Sequence, residues 1–307
     1  MKREIQKQLV KAVFDDIHSD RVKKVIIDSD AYNEMDDQFA ILYALCARER
    51  MNVVAINAAA FVNDKADTFE EGMEKSYEEI KRLTDCLPDG EGIPVFYGSR
   101  KSIEETGEAY VSPAAENIVK TAMESDETVY ILTMGCITNV ASAILMEPKI
   151  CEKICVVWLG GNELHKEDVR EFNLEMDYAA GQIVLNSGCP LVLCPAFNVT
   201  IALEYNVEQL TALGYDLPHC AYLTELTKRF HRGAGAGPDW TWIMWDMAAP
   251  ALLDDPTSAD IEIITAPMFT DDFHYAFDKT RHDIMIMRKL YPDKVYANAF
   301  GKIKRGR

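Results

Sequence analysis

The sequence predicts an α/β fold: a single domain over residues 1–307, with a mostly parallel central sheet flanked by helices. Three observations carry this reading. From residue 23 onward, short runs rich in Val, Ile and Leu alternate with stretches of helical spacing. The short runs are apolar throughout, as expected for strands covered by helices on both faces. No linker, repeat or compositional break divides the 307 residues, a length that can bury a large core.

Taken in order, strands are expected at 23–30, 52–58, 94–97, 128–133, 154–159 and 190–194. Helices are expected between them at 36–49, 67–84, 113–125, 138–147 and 177–187. The first helix is the clearest, because Phe39, Ala40, Leu42, Tyr43 and Leu45 recur at helical spacing. The run TSADIEIITAPMF adds a strand near 260–266, and Phe273 to Arg307 shows no clear pattern.

Composition narrows the function classes. A net charge of -18 argues against nucleic acid or an anionic membrane as a partner. No run of 18 apolar residues suggests a membrane span, and the charged N-terminus MKREIQKQLVKAVFDDIHSD has no signal-peptide apolar core. A cytoplasmic protein is therefore expected. The eight cysteines are scattered without a CxxC and lie mostly in apolar stretches, so they read as reduced core thiols rather than a zinc site.

Four segments carry chemistry. In KKVIIDSDAYNEMDDQFAILYAL, the carboxylates Asp28, Asp30, Asp36 and Asp37 crowd a strand-to-helix turn, the edge where open α/β sheets bind ligands. Asp28 and Asp30, two apart on a strand, share a face. Asp36 and Asp37 begin a helix, where one of them alone would read as an N-cap. All four together call for a cation or protons, and a hard, oxygen-liking metal meets that need. In YILTMGCITNVASAIL, a strand turns at Gly135 into a helix opening near Thr138 and Asn139; alone this is an ordinary βα turn. In VVWLGGNELHKEDVREFNLEMDYAA, Gly160 and Gly161 permit close backbone approach to a ligand, and Asn162, Glu171 and Asn173 can hydrogen-bond sugar hydroxyls; alone the segment reads equally as a surface loop with a solvated charge run. In PDWTWIMWDMAAPALL, Asp246 stands among Trp240, Trp242 and Trp245; it reads either as a carboxylate needing a partner or as the polar position of an amphipathic helix.

In this order the segments resemble the inosine-uridine-preferring nucleoside hydrolase family. Its DxDPGxDD cluster, GPLTN turn, EFN segment and late Asp correspond here to DSDAYNEMDD, GCITN, EFN and WDMAA, and IPVFYGS is similar to the family's IPVxxG strand. The resemblance implies a nucleoside-hydrolase-like, Rossmann-like open sheet and a calcium-dependent hydrolase of the N-glycosidic bond of ribonucleosides. It implies Asp30 as the residue that binds calcium and takes a proton from the attacking water. It implies Asp37, the Met134 backbone carbonyl and Asp246 as further Ca2+ ligands. Asp36, Asn63, Asn162, Glu171 and Asn173 would then hold the sugar. A small-molecule nucleoside is the expected partner, with a homodimer or homotetramer as the expected assembly and no nucleic acid or membrane.

Two departures bear on the chemistry. Ala31 to Met35 place five residues where the family has three, without the Pro-Gly, so Tyr32, Asn33 or Glu34 can enter the site. Trp245 stands where many members have a His that protonates the leaving base; purine-preferring relatives also have Trp there, which favours a purine stacked on Trp245. His274 or His282 is the alternative proton source. Two other functions stay open: a non-catalytic ribosyl-binding member, and a haloacid-dehalogenase-like magnesium phosphatase, which also begins with a strand followed by DxD.

Overall fold

The computed structural model describes residues 2–87, 92–237 and 239–306; Pro238, at the head of the Trp-rich segment, lies outside them. The strands are β1 (Lys23–Ser29), β2 (Met51–Ala58), β3 (Val95–Phe96), β4 (Val129–Thr133), β5 (Ile154–Leu159), β6 (Leu191–Cys194), β7 (Glu204–Asn206), β8 (Thr241–Ile243), β9 (Ala259–Thr265), β10 (Met268–Phe269), β11 (Tyr275–Ala276) and β12 (Asp283–Leu290). Eight of them form one sheet in the order β3-β2-β1-β4-β5-β6-β12-β9. All neighbours in it run parallel except β12 and β9. The first six strands were legible as apolar runs. The seventh place, between β6 and β9, is taken by β12, from the stretch without a readable pattern.

Strand alternation divides the core into two layers. Val25 and Ile27 of β1, Tyr130 and Leu132 of β4, and Cys155 and Val157 of β5 pack on one face. Ile26, Ile131, Val156 and Trp158 pack on the other. The helices that cover these faces are α1 (Arg3–Ile17), α2 (Asp36–Cys46), α3 (Phe69–Asp85), α4 (Ile103–Thr106), α5 (Pro113–Glu124), α6 (Thr138–Met146), α7 (Phe172–Met176), α8 (Tyr178–Asn186), α9 (Val207–Thr211), α10 (Pro218–Gly233), α11 (Ala248–Asp254) and α12 (Pro292–Arg305). Every residue of α2 is buried, because α11 and α12 pack over the side turned away from the sheet. The charged N-terminal segment also forms a helix. Val10, Val13 and Ile17 are its buried stripe, and the Gln6 amide donates to the Asp283 carbonyl at 2.7 Å.

β1 sits between β2 and β4, so the chain leaves the sheet in opposite directions on its two sides. The carboxyl ends of β1 and β4 flank this switch point, where the crevice of an open sheet forms. Asp30 follows the end of β1, and Met134 follows the end of β4. Among the described residues no helix is long and apolar enough to cross a membrane.

Candidate active site

At the switch point lies a cavity of about 290 Å³. Asp30, Asp36, Asp37, Met134, Glu171, Asn173, Trp245 and Asp246 line it, together with Asn33 and Glu34 from the longer loop. A larger hollow of about 840 Å³ beside α6 and α8 is lined by only two carboxylates, Glu104 and Glu152, so size does not select the site.

The carboxylates are held individually. Asp37 accepts from the Ser29 hydroxyl at 2.5 Å, and Asp36 accepts from the backbone N–H of Asp246 at 3.1 Å. Asp30 accepts from the Asn33 amide at 3.1 Å. Gly135 is packed on Asp30: a Cβ there would stand 3.0 Å from the Asp30 Cγ. Asn139, which read as part of an ordinary turn, donates to Asp28 and to the Ala58 carbonyl, both at 3.1 Å. It ties the end of β1 to that of β2. Oxygens of Asp36, Asp37 and Asp246 come within 4.8 Å of one another; Asp30 faces the same cavity but stands outside that trio.

Burial raises the carboxyls of Asp28 and Asp36 to about 7 and that of Asp37 to about 6. Burial, and then repulsion from neighbouring carboxylates, push Asp30 and Asp246 well above the ordinary range. Among the described residues no Lys, Arg or His forms a salt bridge with any of these five. Asp28 Oδ1 and Asp246 Oδ1 are buried without a hydrogen-bond partner. A buried, crowded, all-oxygen set with unpartnered acceptors suits a hard cation, and the residues present can hold a metal ion.

A further part of the lining is built by the EFN segment. Glu171 caps α7, accepting from the N–H groups of Asn173, Leu174 and Gly161 at 3.0, 3.2 and 3.1 Å. Burial still holds its carboxyl up at about 7. Asn173 donates to the Met134 carbonyl at 3.2 Å and to the Leu159 carbonyl at 3.0 Å, which fixes the carbonyl at the end of β4. Trp245 opens one turn of 3-10 helix, Trp245–Met247, ahead of α11. Every residue of α11 is buried, so it is not an amphipathic helix, while Trp245 ahead of it is half-buried.

Two sequence-predicted residues stand elsewhere. The Asn162 amide group donates to the Asp168 and Arg170 carbonyls, and its oxygen accepts from the Phe197 N–H; it staples its own loop rather than lining the cavity. Asn63 donates to Asn33 Oδ1 at 2.7 Å, and so acts on the residue that holds Asp30. The Gly pair also has another cause. A Cβ at Gly160 would strike the Trp158 ring at 2.3 Å, and Gly161 has φ +67°, so packing and backbone conformation require them rather than approach of a ligand. His274 and His282 do not line the cavity. The longer loop is compact: Ala31 and Met35 are buried at its ends, Asn33 turns back on Asp30, and Glu34 faces the cavity.

Comparison with known proteins accords with this geometry. The model of the inosine-uridine preferring nucleoside hydrolase family matches residues 25–296. The pyrimidine-specific ribonucleoside hydrolase RihA of Escherichia coli O1:K1 is 28% identical over 209 residues, covering 60% of this chain and 63% of that protein. RihA of Enterobacter sp. (strain 638) is 27% identical over 218 residues, covering 62% and 66%. The chain thus spans just under two thirds of these curated relatives. Among solved structures, a purine-preferring ribonucleoside hydrolase from Gardnerella vaginalis superposes with a TM-score of 0.73 at 19% identity, covering 92% of this chain and 99% of that one. An inosine-guanosine nucleoside hydrolase does so at 0.72 and 18%, with the same coverage. At such identities these structures speak for the fold.

Proposed function

The chain belongs to the inosine-uridine preferring nucleoside hydrolase family, and we propose that it hydrolyses the N-glycosidic bond of ribonucleosides, releasing ribose and free base. The observation that carries the reading is the cavity wall of buried carboxylates with no cation among them. C–N cleavage passes through an oxocarbenium-like state, and carboxylates near the sugar carbon stabilise its positive charge. Calcium is the ion that fits best: held by Asp30, Asp37, Asp246 and the Met134 carbonyl, it would supply charge that offsets the carboxylates and polarises water and sugar hydroxyls. Asp36, in the same trio, is placed either to take a sugar hydroxyl or to join the ligand set.

Asp30 accepts the proton of the attacking water, held in place by Asn33 and by the close packing of Gly135. Glu171 and Asn173, which line the same cavity, hold the sugar. Trp245 offers a face for the base, which favours purines. A pyrimidine preference is the competing reading, since the RihA relatives are named pyrimidine-specific. The match to this family leaves the phosphatase alternative without support.

The test is ribose release, by reducing-sugar assay, from inosine, adenosine, guanosine, uridine and cytidine in calcium, with and without chelator. Purine turnover abolished by chelator is the expected result. Turnover mainly of uridine or cytidine would keep the reaction and reverse the base preference. No release despite bound calcium would favour a ribosyl-binding protein that does not catalyse.

A further inference from the structure

A second chamber of about 790 Å³ adjoins the acidic cavity, with Asn33 and Glu34 on the wall common to both. The far side of that chamber is built from Lys65 and Lys75 and from Arg229, Phe230 and Trp242. Trp242, which lines the chamber, stands three residues before Trp245, which lines the cavity, so one segment contributes an aromatic ring to each space.

The two spaces differ in charge. Carboxylates line the inner cavity without a cation, whereas Lys65, Lys75 and Arg229 all face the chamber, in a chain of net charge -18. Lys75 is committed to Glu71 at 2.7 Å. Lys65 is half-buried, donates to the Asn33 carbonyl and stands 4.8 Å from the Phe230 ring centroid. Arg229 forms neither an ion pair nor a hydrogen bond with any described residue. Two carboxylates oppose these cations: Asp64, which is exposed, and Glu34, on the shared wall; neither forms a salt bridge with Lys65 or Arg229. A free guanidinium beside aromatic faces is a surface for a planar anion. The inner cavity would repel the same anion.

The geometry points to a substrate whose leaving base carries a negative charge, a carboxylate or an ionised ring oxygen, received in this chamber by Arg229 and Lys65. The inference rests on the cavity being the site of ribosyl transfer to water. In that reaction the C1′–N bond breaks and its electron pair leaves with the base. The water oxygen bonds to C1′, its proton passes to Asp30, and the base takes a proton from solvent. Cations beside the departing ring stabilise the electron pair it receives. They thereby assist departure in a chain that has Trp245 where a side-chain acid would otherwise stand.

Matched pairs test this: uridine against orotidine, and inosine against xanthosine at pH 8, where xanthosine is anionic. Uridine and inosine 5′-monophosphates place the charge at the other end of the ribose. The expected result is kcat/KM at least ~10-fold higher for the anionic base in each pair, as one charge-assisted hydrogen bond would give. The ratio should fall toward one in Arg229→Ala; the side chain is exposed and unpartnered, so the variant should fold. Equal turnover within pairs, an unchanged ratio in Arg229→Ala, or a preference for the 5′-monophosphates over orotidine and xanthosine would overturn the inference. If no compound releases ribose, the hydrolase reading fails, and calorimetric titration still decides. Tighter binding of orotidine than uridine, lost in Arg229→Ala, supports the anion chamber; equal affinity or no binding overturns it.

Discussion

Removing the metal should destabilise the protein, and far more at pH 8 than at pH 5. The magnitude follows from the trio at the cavity wall. Burial raises Asp37 from 3.8 to about 6 and Asp36 from 3.8 to about 7. At 1.36 kcal/mol per unit, these shifts correspond to about 3 and about 4 kcal/mol. Repulsion from Asp37 adds to burial at Asp36, so ionising both groups in the metal-free fold costs several kcal/mol. Their folded pKa values lie above the unfolded ones. Between roughly pH 4 and 7 the metal-free folded state therefore binds more protons than the unfolded chain, and its stability falls as pH rises through that window. A cation at a hundred times its Kd returns about 2.7 kcal/mol. For a chain of this size that is about 5 °C in Tm, at roughly 2 °C per kcal/mol. At pH 5 the carboxyls are already protonated, the cation must displace protons to bind, and the shift should shrink below ~1 °C. Differential scanning fluorimetry with calcium or with chelator, from pH 5 to pH 8, measures both. Other titrating groups cancel in the difference between the two conditions. A chelator shift equal at both ends, or larger at pH 5, would refute the assignment of this carboxylate cluster as the cation site.

Asp30→Asn should lower kcat at least ~10³-fold while nucleoside affinity by calorimetry stays within a few-fold, because the amide keeps the shape and loses the proton acceptor; near wild-type turnover would remove Asp30 from its role. Gly135→Ala places a methyl 3.0 Å from both the Asp30 Cγ and the Ala59 Cβ, so Asp30 must shift. We expect roughly 10–100-fold loss of kcat with Tm changed by only a few degrees; unchanged kinetics would show that the position of Asp30 tolerates the push. Asn173→Ala removes the donor to the Met134 and Leu159 carbonyls. Calcium affinity, measured by titration, should fall about 10–100-fold, and an unaltered Kd would exclude the Met134 carbonyl from the ligand set.

Much of the sheet was legible because its strands are buried on both faces. Val25, Ile26 and Ile27, or Ile154 to Leu159, read as strands with no help from their surroundings. The segments that escaped detection owe their structure to partners. The helix Arg3–Ile17 is charged on most of its surface, and its stripe of Val10, Val13 and Ile17 has meaning only against β12. The strand Asp283–Leu290 owes its place to pairing with both β6 and β9. Likewise Asn139 looks like any residue in a βα turn until the fold brings Asp28 to its amide, 111 positions away.

What the sequence determined by itself is the chemistry of the site: the carboxylates at the end of the first strand, the EFN segment and the late Asp246, all of which depend on residue type and local spacing. Tertiary structure alone decided their company. It set Asp246 against Asp36 across 210 positions, put Asn33 rather than a Pro-Gly turn behind Asp30, and drew Asn162 away to staple its loop. It also placed Arg229 and Lys65 along one chamber. Burial and charge proximity are properties of the folded chain, since each depends on which distant segment closes over a residue, and no local pattern encodes that.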